Sequence, residues 1–373
     1  MDFSLTDEQR ALADLAGQIL GDKCTLERLK AVEHGEARYD SDVWAEFAKA
    51  GLLGAALPEG VGGSGGGFIE ICLLLEQQGK RVAMLPLLST IVSAALPIVR
   101  FGSSAQQQRY LPGVVSGQTL LSAALTEQGA ESRAPMTTAT PAGSGWRLSG
   151  VKTAVPMAHV AAAVLVPART AKGEFGVFVV DPKAPGATLA RQETTNWEAH
   201  FRMELSDVKV GADALLGPMS RDAEVLNWIV DRTTVGLCAI ASGICQEAVR
   251  ITAEYASNRK QFDKPIAMFQ AVGQRMADSY IDNEAVNLTM WQAASRLYDE
   301  MPSSKEIATA KYWTSEGGSR IGHAALHIHG GISIDVDYPI HRYFLWLKQI
   351  EFTLGAATPQ LAHLGELIAA DPA

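Results

Sequence analysis

The sequence of 373 residues is poor in cysteine, with only four, and no two of them are spaced as Cys-x-x-Cys. That spacing is typical of structural zinc sites and of redox pairs, so the sequence supports neither. Cys24, Cys72, Cys238 and Cys245 are therefore expected to be buried, reduced thiols, as in cytosolic proteins.

Long apolar runs and basic stretches are also missing. No apolar run approaches the about 20 residues that a helix needs to cross a bilayer. The opening MDFSLTDEQR carries acids and no apolar signal core, which predicts a cytoplasmic protein. The net charge is −9, and no Lys/Arg stripe is interleaved with aromatic residues. Nucleic acid and membrane are therefore not expected partners.

Apolar residues make up 47 % of the chain and fall into three zones. Residues 1–117 show helical spacing, and residues 118–222 consist of short Val-, Leu- and Thr-rich runs separated by turn residues. Residues 223–373 predict four long helices, at about 223–257, 266–300, 304–328 and 341–368. The predicted fold class is α+β, with an N-terminal helical domain, a middle antiparallel β domain and a C-terminal four-helix bundle.

The glycine run PEGVGGSGGGF at 58–68 resembles a phosphate-binding loop at first sight. A dinucleotide fingerprint also needs a buried strand before the glycines and an acid about 20 residues further on. The preceding GLLGAALPEG is not a convincing strand. A flexible connector between two helices is the favoured interpretation.

Three histidines, His323, His327 and His329, are close together on a predicted helix. Spacing of four residues can hold zinc on one helix face, but a metalloprotease would have glutamate after the first histidine, where this chain has Ala324. No third ligand is evident, so the sequence predicts no metal site.

Asp231 and Arg232 stand near the start of the first C-terminal helix. The face that begins with Asp231 continues with mostly small residues at helical spacing, including Thr234, Cys238 and Ser242. Such a stripe leaves room for a neighbouring helix or for a ligand, and spacing alone favours the helix.

The segment from Arg259 to Gln270 joins two predicted helices, with Pro265 expected in the first turn of the second. Arg259 and Gln270 could reach one bound group from opposite sides of this corner. Arginine suits a phosphate because its planar fork donates two parallel hydrogen bonds.

Together these motifs resemble the acyl-CoA dehydrogenase family over nearly the whole chain. The matching pieces are DFSLTDEQ near the N-terminus, the glycine connector, Leu125-Thr126-Glu127, the Arg-x-x-Phe-x-x-Pro-Ile-x-x-Phe-Gln run of 259–270, and His-Ile-His-Gly-Gly at 327–331. The resemblance implies bound FAD and α,β-dehydrogenation of an acyl-CoA thioester, in which a carboxylate removes the α proton and a hydride leaves the β carbon for the flavin.

The resemblance also assigns cofactor residues. It implies that Thr126 binds FAD in its own chain. A second set reaches across a subunit interface to a neighbour's FAD: Arg259, Phe262, Gln270, Gly330 and Gly331.

The catalytic base departs from the family pattern. Leu354 stands where the family has the glutamate of its Glu-Gly-Thr motif, and leucine cannot accept a proton. Some members carry the base at the start of the first bundle helix, before an arginine. The resemblance therefore makes Asp231 the leading base candidate and Arg232 a substrate-binding residue.

The flavin pocket departs as well. Gln-Gly-Ala-Glu-Ser-Arg at 128–133 replaces the family's Pro-x-x-Gly-Ser-Asp, and Ala-Val-Pro at 154–156 replaces the Trp-Ile-Thr that lines the flavin ring. The chain has thus lost residues for its own FAD but keeps those that reach a neighbour's FAD. In this it resembles the degenerate subunit of heteromeric acyl-CoA dehydrogenases from steroid-degrading actinobacteria. The resemblance implies an acyl-CoA substrate, bulky or short, and an acyl-CoA dehydrogenase partner subunit in a heterotetramer.

Several alternatives stay open. The chain could form a homotetramer, could be a non-catalytic partner that completes another subunit's FAD site, or could be a flavin oxidase on the same fold. An electron-transfer flavoprotein is a candidate electron acceptor.

Overall fold

The computed structural model describes residues 4–371. Its N-terminal part is helical, as predicted, although Asp2 and Phe3 of the N-terminal motif lie outside the described residues. The helices here are α1 (Asp7–Lys23), α2 (Leu26–His34), α3 (Ser41–Lys49), α4 (Phe68–Arg81), a π-helical segment (Leu88–Ala95) that continues into α5 (Leu96–Phe101), and α6 (Ser104–Val115). Reciprocal capping boxes start α1 and α6.

The glycine run forms a connector, as the favoured interpretation predicted. A short 3₁₀ turn at Leu52–Gly54 precedes it and another, Glu59–Val61, lies within it, so no strand leads into the glycines, and α4 begins directly after them. A Cβ atom on Gly63 would lie 2.1 Å from the carbonyl oxygen of Leu57. The glycine therefore allows the connector to fold back closely on itself.

An eight-stranded sheet occupies the middle zone. Its strands are β1 (Leu121–Ala123), β2 (Thr138–Ala142), β3 (Gly145–Pro156), β4 (Ala163–Arg169), β5 (Phe175–Val180), β6 (Ala187–Gln192), β7 (His200–Val210) and β8 (Leu215–Ser220). The order is β6-β7-β3-β2-β4-β5-β8, with β1 beside β4. Most neighbouring strands pair antiparallel, as predicted, but β1 and β2 each run parallel to β4. Neither of these strands is joined to β4 by a hairpin, so nothing forces them to run antiparallel to it.

Two short strands and five helices follow the sheet. They are α7 (Glu224–Asn258), β9 (Lys260–Gln261), β10 (Lys264–Pro265), α8 (Gln270–Tyr298), α9 (Ser304–His329), α10 (Ile340–Phe352) and α11 (Ala357–Ala370). The single predicted helix at 341–368 was wrong, since Leu354 (φ 57°) and Gly355 (φ 98°) adopt left-handed conformations and separate α10 from α11. The prediction that Pro265 lies in the first turn of α8 was also wrong. Pro265 ends β10 instead, and a 3₁₀ turn intervenes.

The small residues of α7 lie against neighbouring helices. A Cβ atom on Gly243 would lie 1.9 Å from the carbonyl oxygen of Glu76 in α4, and a Cβ on Gly79 would lie 2.0 Å from that of Ile240. On the stripe itself, the Ser242 hydroxyl accepts a hydrogen bond from Asn287 of α8 at 2.9 Å. Helix packing, not ligand space, accounts for this part of the stripe.

The described chain forms two compact units, each built from separate segments. One contains the chain up to Ala31, Phe68–Ala83 and the chain from Thr234 onward, and the other contains Val32–Gly67 and Met84–Thr233. The predicted domain boundaries at 117/118 and 222/223 stay predictions. Among the described helices, α7 is long and apolar enough to cross a membrane by length and composition, but 89 % of its most apolar stretch is buried in the fold.

Candidate functional site

Asp231 lies two turns into α7 and is not a free carboxylate. Its Oδ1 atom accepts a hydrogen bond from Nη2 of Arg133 at 2.5 Å, and the side chains of Arg133 and Asp231 are 33 % and 20 % exposed. Arg133 belongs to the loop that joins β1 to β2. The leading base candidate is therefore half of a partly buried ion pair.

The guanidinium of Arg133 has a second partner on the same helix. Its Nη1 atom donates to Oδ1 of Asn227 at 3.1 Å, and Asn227 in turn donates to the carbonyl oxygen of Asp222 at 2.9 Å. Sequence reasoning noted Arg133 only as a replacement in the flavin motif and missed this contact. No local signal in the sequence links Arg133 with Asp231, because the two residues are 98 positions apart.

Arg232 is buried and lies over the indole ring of Trp228, with its Cζ atom 3.7 Å from the ring centroid. Trp228 makes an edge contact with Phe101. This cation–π contact fixes the guanidinium within the fold. Its predicted role in substrate binding stays a prediction.

Thr126 uses its polar groups inside the sheet. Its hydroxyl donates to the carbonyl oxygen of Thr153 at 2.7 Å, and its own carbonyl oxygen accepts from the Thr153 amide at 2.9 Å. Ala154 stands at the position of the family's flavin-lining tryptophan. Its backbone has φ 48°, and its amide N–H donates a hydrogen bond to Oε1 of Gln192 at 2.8 Å. These groups thus already have partners in their own chain.

A buried ion pair that sequence reasoning missed adjoins Thr126. Nζ of Lys152 donates to Oε1 of Glu127 at 2.6 Å and to the carbonyl oxygen of Pro167 at 2.7 Å. Burial lowers the pKa of Lys152 to about 8, although the Glu127 carboxylate opposes the shift. Burial raises the pKa of Glu127, but the Lys152 ammonium and the hydrogen bonds from Lys152 and Thr137 outweigh it and leave this pKa below its ordinary value.

The run from Arg259 to Gln270 forms an exposed hairpin between α7 and α8. Phe262 and Asp263 occupy the two turn positions between β9 and β10 with φ values of 52° and 64°, which is the geometry of a type I′ turn. The phenyl ring of Phe262 is 86 % exposed and makes an edge contact with Phe269. Arg259 and Gln270 are also exposed, at the two ends of the hairpin.

Gly330 and Gly331 follow α9 and face open space. Gly330 has φ 65°, and an added Cβ atom on either glycine would meet nothing within 4 Å. The preceding His329 is buried and stacks on Tyr255, with the ring centroids 4.4 Å apart. Tyr255 lies one turn before Arg259. The two glycines thus follow a residue that packs about one turn from the α7 end of the hairpin, and their assignment to a flavin site stays a prediction.

The other two histidines make local contacts. Nδ1 of His323 donates to the carbonyl oxygen of Ser319 at 2.8 Å, and His327 is hydrogen-bonded to Arg275 of α8. Across residues 4–371, no group of three or more His, Cys, Asp or Glu side chains is placed to hold a metal ion.

Leu354 lies in the corner between α10 and α11, where the family has its glutamate. The corner is supported by Lys311, which is fully buried and donates to the carbonyl oxygens of Ile350 at 2.7 Å and Glu351 at 3.1 Å. Both carbonyl groups belong to the last turn of α10, where helical donors run out, and that of Ile350 also accepts from the Thr353 amide at 3.2 Å. Lys311 thus caps the end of α10, and the residue in the corner, Leu354, has a hydrocarbon side chain.

Comparison with known proteins agrees with this architecture. Residues 6–118 match the N-terminal domain model of the acyl-CoA dehydrogenases, and residues 223–368 match their C-terminal domain model. Acyl-CoA dehydrogenase FadE27 of Mycobacterium tuberculosis is 39 % identical over the full length of both chains.

Two solved structures are similar over almost their whole length. One chain of a variant of the Tcur3481-Tcur3483 steroid ACAD is 44 % identical, with a TM-score of 0.92 and 98 % of each chain covered. One chain of the ChsE4-ChsE5 complex from Mycobacterium tuberculosis is 39 % identical, with a TM-score of 0.95 and 100 % of each chain covered. The predicted fold class is confirmed, and FAD is confirmed as the cofactor expected at the level of the family. The chain belongs to the acyl-CoA dehydrogenase family of oxidoreductases.

Proposed function

We propose that this chain is one subunit of a heteromeric, FAD-dependent acyl-CoA dehydrogenase and completes the FAD site of a homologous partner subunit. The observation that carries the proposal is an asymmetry. The residues that the resemblance assigns to a neighbour's FAD are exposed, whereas the groups assigned to the chain's own FAD are engaged in internal hydrogen bonds.

The exposed set fits a dinucleotide. Arg259 offers a guanidinium fork for a diphosphate, and Phe262 offers an aromatic face at the tip of the hairpin. Gly330 and Gly331 allow a close approach of the ligand to the backbone, since no side chain stands in front of them. When bound, FAD accepts the hydride that leaves the β carbon of the acyl group.

The chain's own cofactor positions do not fit FAD in the same way. The Thr126 hydroxyl and the Ala154 amide already have partners in the sheet. Ala154 also presents no aromatic wall to a flavin ring. A catalytic role for Asp231 stays a prediction, and it would require the pair with Arg133 to open first.

The substrate and partner are proposed from the relatives. The similar structures are named as a steroid ACAD and as the ChsE4-ChsE5 complex, so a steroid-type acyl-CoA thioester and a second acyl-CoA dehydrogenase chain are proposed here. An electron-transfer flavoprotein is proposed as the electron acceptor, and the cytoplasm as the compartment.

The first test is the flavin content of the purified protein. Expressed alone, the chain should carry little FAD, and co-expressed with its partner it should give a complex with about one FAD per two chains. The measurement is the flavin absorbance spectrum with a protein assay. One FAD per chain in the protein expressed alone would overturn the proposal in favour of a self-sufficient homomer.

A second test removes one contact. Arg259→Ala should weaken FAD binding by the assembled complex about 10-fold or more, because a charge-assisted hydrogen bond to the diphosphate is lost. Arg202→Ala on β7 is the matched control, since Arg202 is a half-exposed arginine that pairs only with Glu204 among its described contacts. Equal FAD retention by both variants in equilibrium dialysis would contradict the assignment of Arg259.

A further inference from the structure

We propose that Arg133 and Asp231 form a clasp that holds the β1–β2 loop against the first turns of α7, and that this clasp is the function of the Asp231 carboxylate. The inference goes beyond the proposed function. It concerns a contact within one compact unit of this chain, since Arg133 and Asp231 both lie in Met84–Thr233. It assigns Asp231 a structural role in place of proton abstraction.

The geometry of the clasp is that of a fixed contact. Nη2 of Arg133 reaches Asp231 at 2.5 Å while Nη1 reaches Asn227 at 3.1 Å, so two nitrogens of one guanidinium engage two side chains a helical turn apart. Asn227 is itself held by the carbonyl oxygen of Asp222. A planar fork that is occupied on two nitrogens has little freedom to leave either partner.

The loop is anchored at its other side as well. Glu127, four residues after β1, accepts hydrogen bonds from the amides of Met136 and Thr137 at 2.7 and 3.1 Å, and its own charge is balanced by buried Lys152. Residues 128–135 therefore form a loop that is closed at its base by Glu127, and Arg133 lies within this loop. Removal of the Arg133 anchor leaves this stretch held only at its base.

The clasp also bears on the chemistry available to Asp231. A general base must have its oxygen within reach of the proton that it removes. Oδ1 of Asp231 already accepts a hydrogen bond from the Arg133 guanidinium, which has N–H donors and no acceptor. Proton abstraction by this oxygen would therefore require the contact with Arg133 to open.

The test is a double-mutant cycle on the assembled complex, with R133A, D231A and the double variant, read as the melting temperature. Each single variant should melt about 2–4 °C lower, and the double variant no lower than the worse single variant, because each substitution breaks the same contact. The charge-swapped variant R133D/D231R should recover part of the loss. Arg202 and Glu204, both 44 % exposed, form the matched control pair, for which the coupling should be undetectable.

Turnover separates the clasp from a catalytic base. If the contact is a structural clasp, R133A and D231A should lower the turnover of the complex only in proportion to the loss of folded complex. Additive losses of melting temperature would overturn the clasp, as would turnover that collapses in D231A but not in R133A. Neither result depends on the flavin assignment, which Arg259→Ala tests separately.

Discussion

Glu198, in the connection between β6 and β7, is an acid whose ionisation the fold opposes. Burial raises its pKa to about 7, against the hydrogen bond that Asn196 donates to Oε2 at 2.6 Å. Because the folded-state pKa lies above the unfolded one, the contribution of this group to stability is complete below about pH 4.5 and is lost as pH rises through about 7.

Glu198→Gln should remove this dependence, since the amide oxygen still accepts from Asn196 and carries no charge. At pH 8 the variant should be more stable than the parent by about 1–3 kcal/mol, and at pH 5 the two should be nearly equal. Thermal unfolding from pH 5 to pH 8 measures the difference. Exposed Glu131→Gln is the control, and a Glu198→Gln curve parallel to the parent's would contradict the prediction.

Single residues were predictable where a local motif defines them, and not where a contact depends on the fold. The resemblance assigned Arg259 and Phe262 because they occur in one run of the sequence, and their roles stay predictions. The pair of Arg133 with Asp231 joins residues 98 positions apart, and the pair of Lys152 with Glu127 joins residues 25 positions apart. The first pair depends on the placement of the β1–β2 loop beside α7, and the second on the placement of β3 beside the residues that follow β1. Composition specifies neither.

At the scale of elements, α4 and α7 cross so closely that Gly243 has no room for a side chain. Gly243→Ala would place a methyl group 1.9 Å from the carbonyl oxygen of Glu76, so the helices must separate. The expected cost is about 1–3 kcal/mol in the free energy of unfolding, as for overpacking of a core.

Gly365→Ala in α11 is the matched control, because nothing lies within 4 Å of an added Cβ there. It should stabilise the protein by about 0.5–1 kcal/mol through helix propensity. Chemical denaturation of the two variants compares them directly. If the two substitutions changed the free energy of unfolding equally, the close crossing of α4 and α7 would not restrict the size of the side chain at residue 243.

Elements were predictable where their pattern was strong. The strands β3, β4, β5 and β7 follow from Val- and Leu-rich runs, whereas β2, β6 and β8 were missed. Most residues of β2 are exposed, β6 is an edge strand with exposed or half-buried residues, and β8 contains Gly217 and Pro218. Strands bonded weakly or on one side only need little apolar alternation, so their sequences resemble loops.

At the scale of the whole molecule, α8 carries apolar side chains on its outer surface. Ile281 and Leu288 are 63 % and 52 % exposed and lie seven residues apart, hence on one face. If this face of α8 packs on the proposed partner subunit, Ile281→Glu with Leu288→Glu should prevent assembly, because burial of two carboxylates in an apolar interface is unfavourable.

Light scattering coupled to gel filtration measures the loss of the complex. Leu15→Glu on α1 is the control, since Leu15 is similarly exposed but lies on a different helix. An intact complex carrying both α8 substitutions would show that this face is not the interface.

The order of helices, sheet and helices was predictable over the whole chain, because helical and strand periodicity differ. The two compact units were not, since each collects segments from distant parts of the sequence. Composition records which residues avoid water, but not which distant segments share a core.

The exposed ring of Phe262 at the hairpin tip bears on the relative amounts in which the two proposed subunits are needed. The phenyl ring is 86 % exposed in the single chain, and in the proposed heteromer it would lie against the FAD of the partner subunit. A chain made in excess of the proposed partner would keep this ring in water. On the proposed function, the two chains are therefore needed in equal numbers, and their relative amounts in the cell test that requirement.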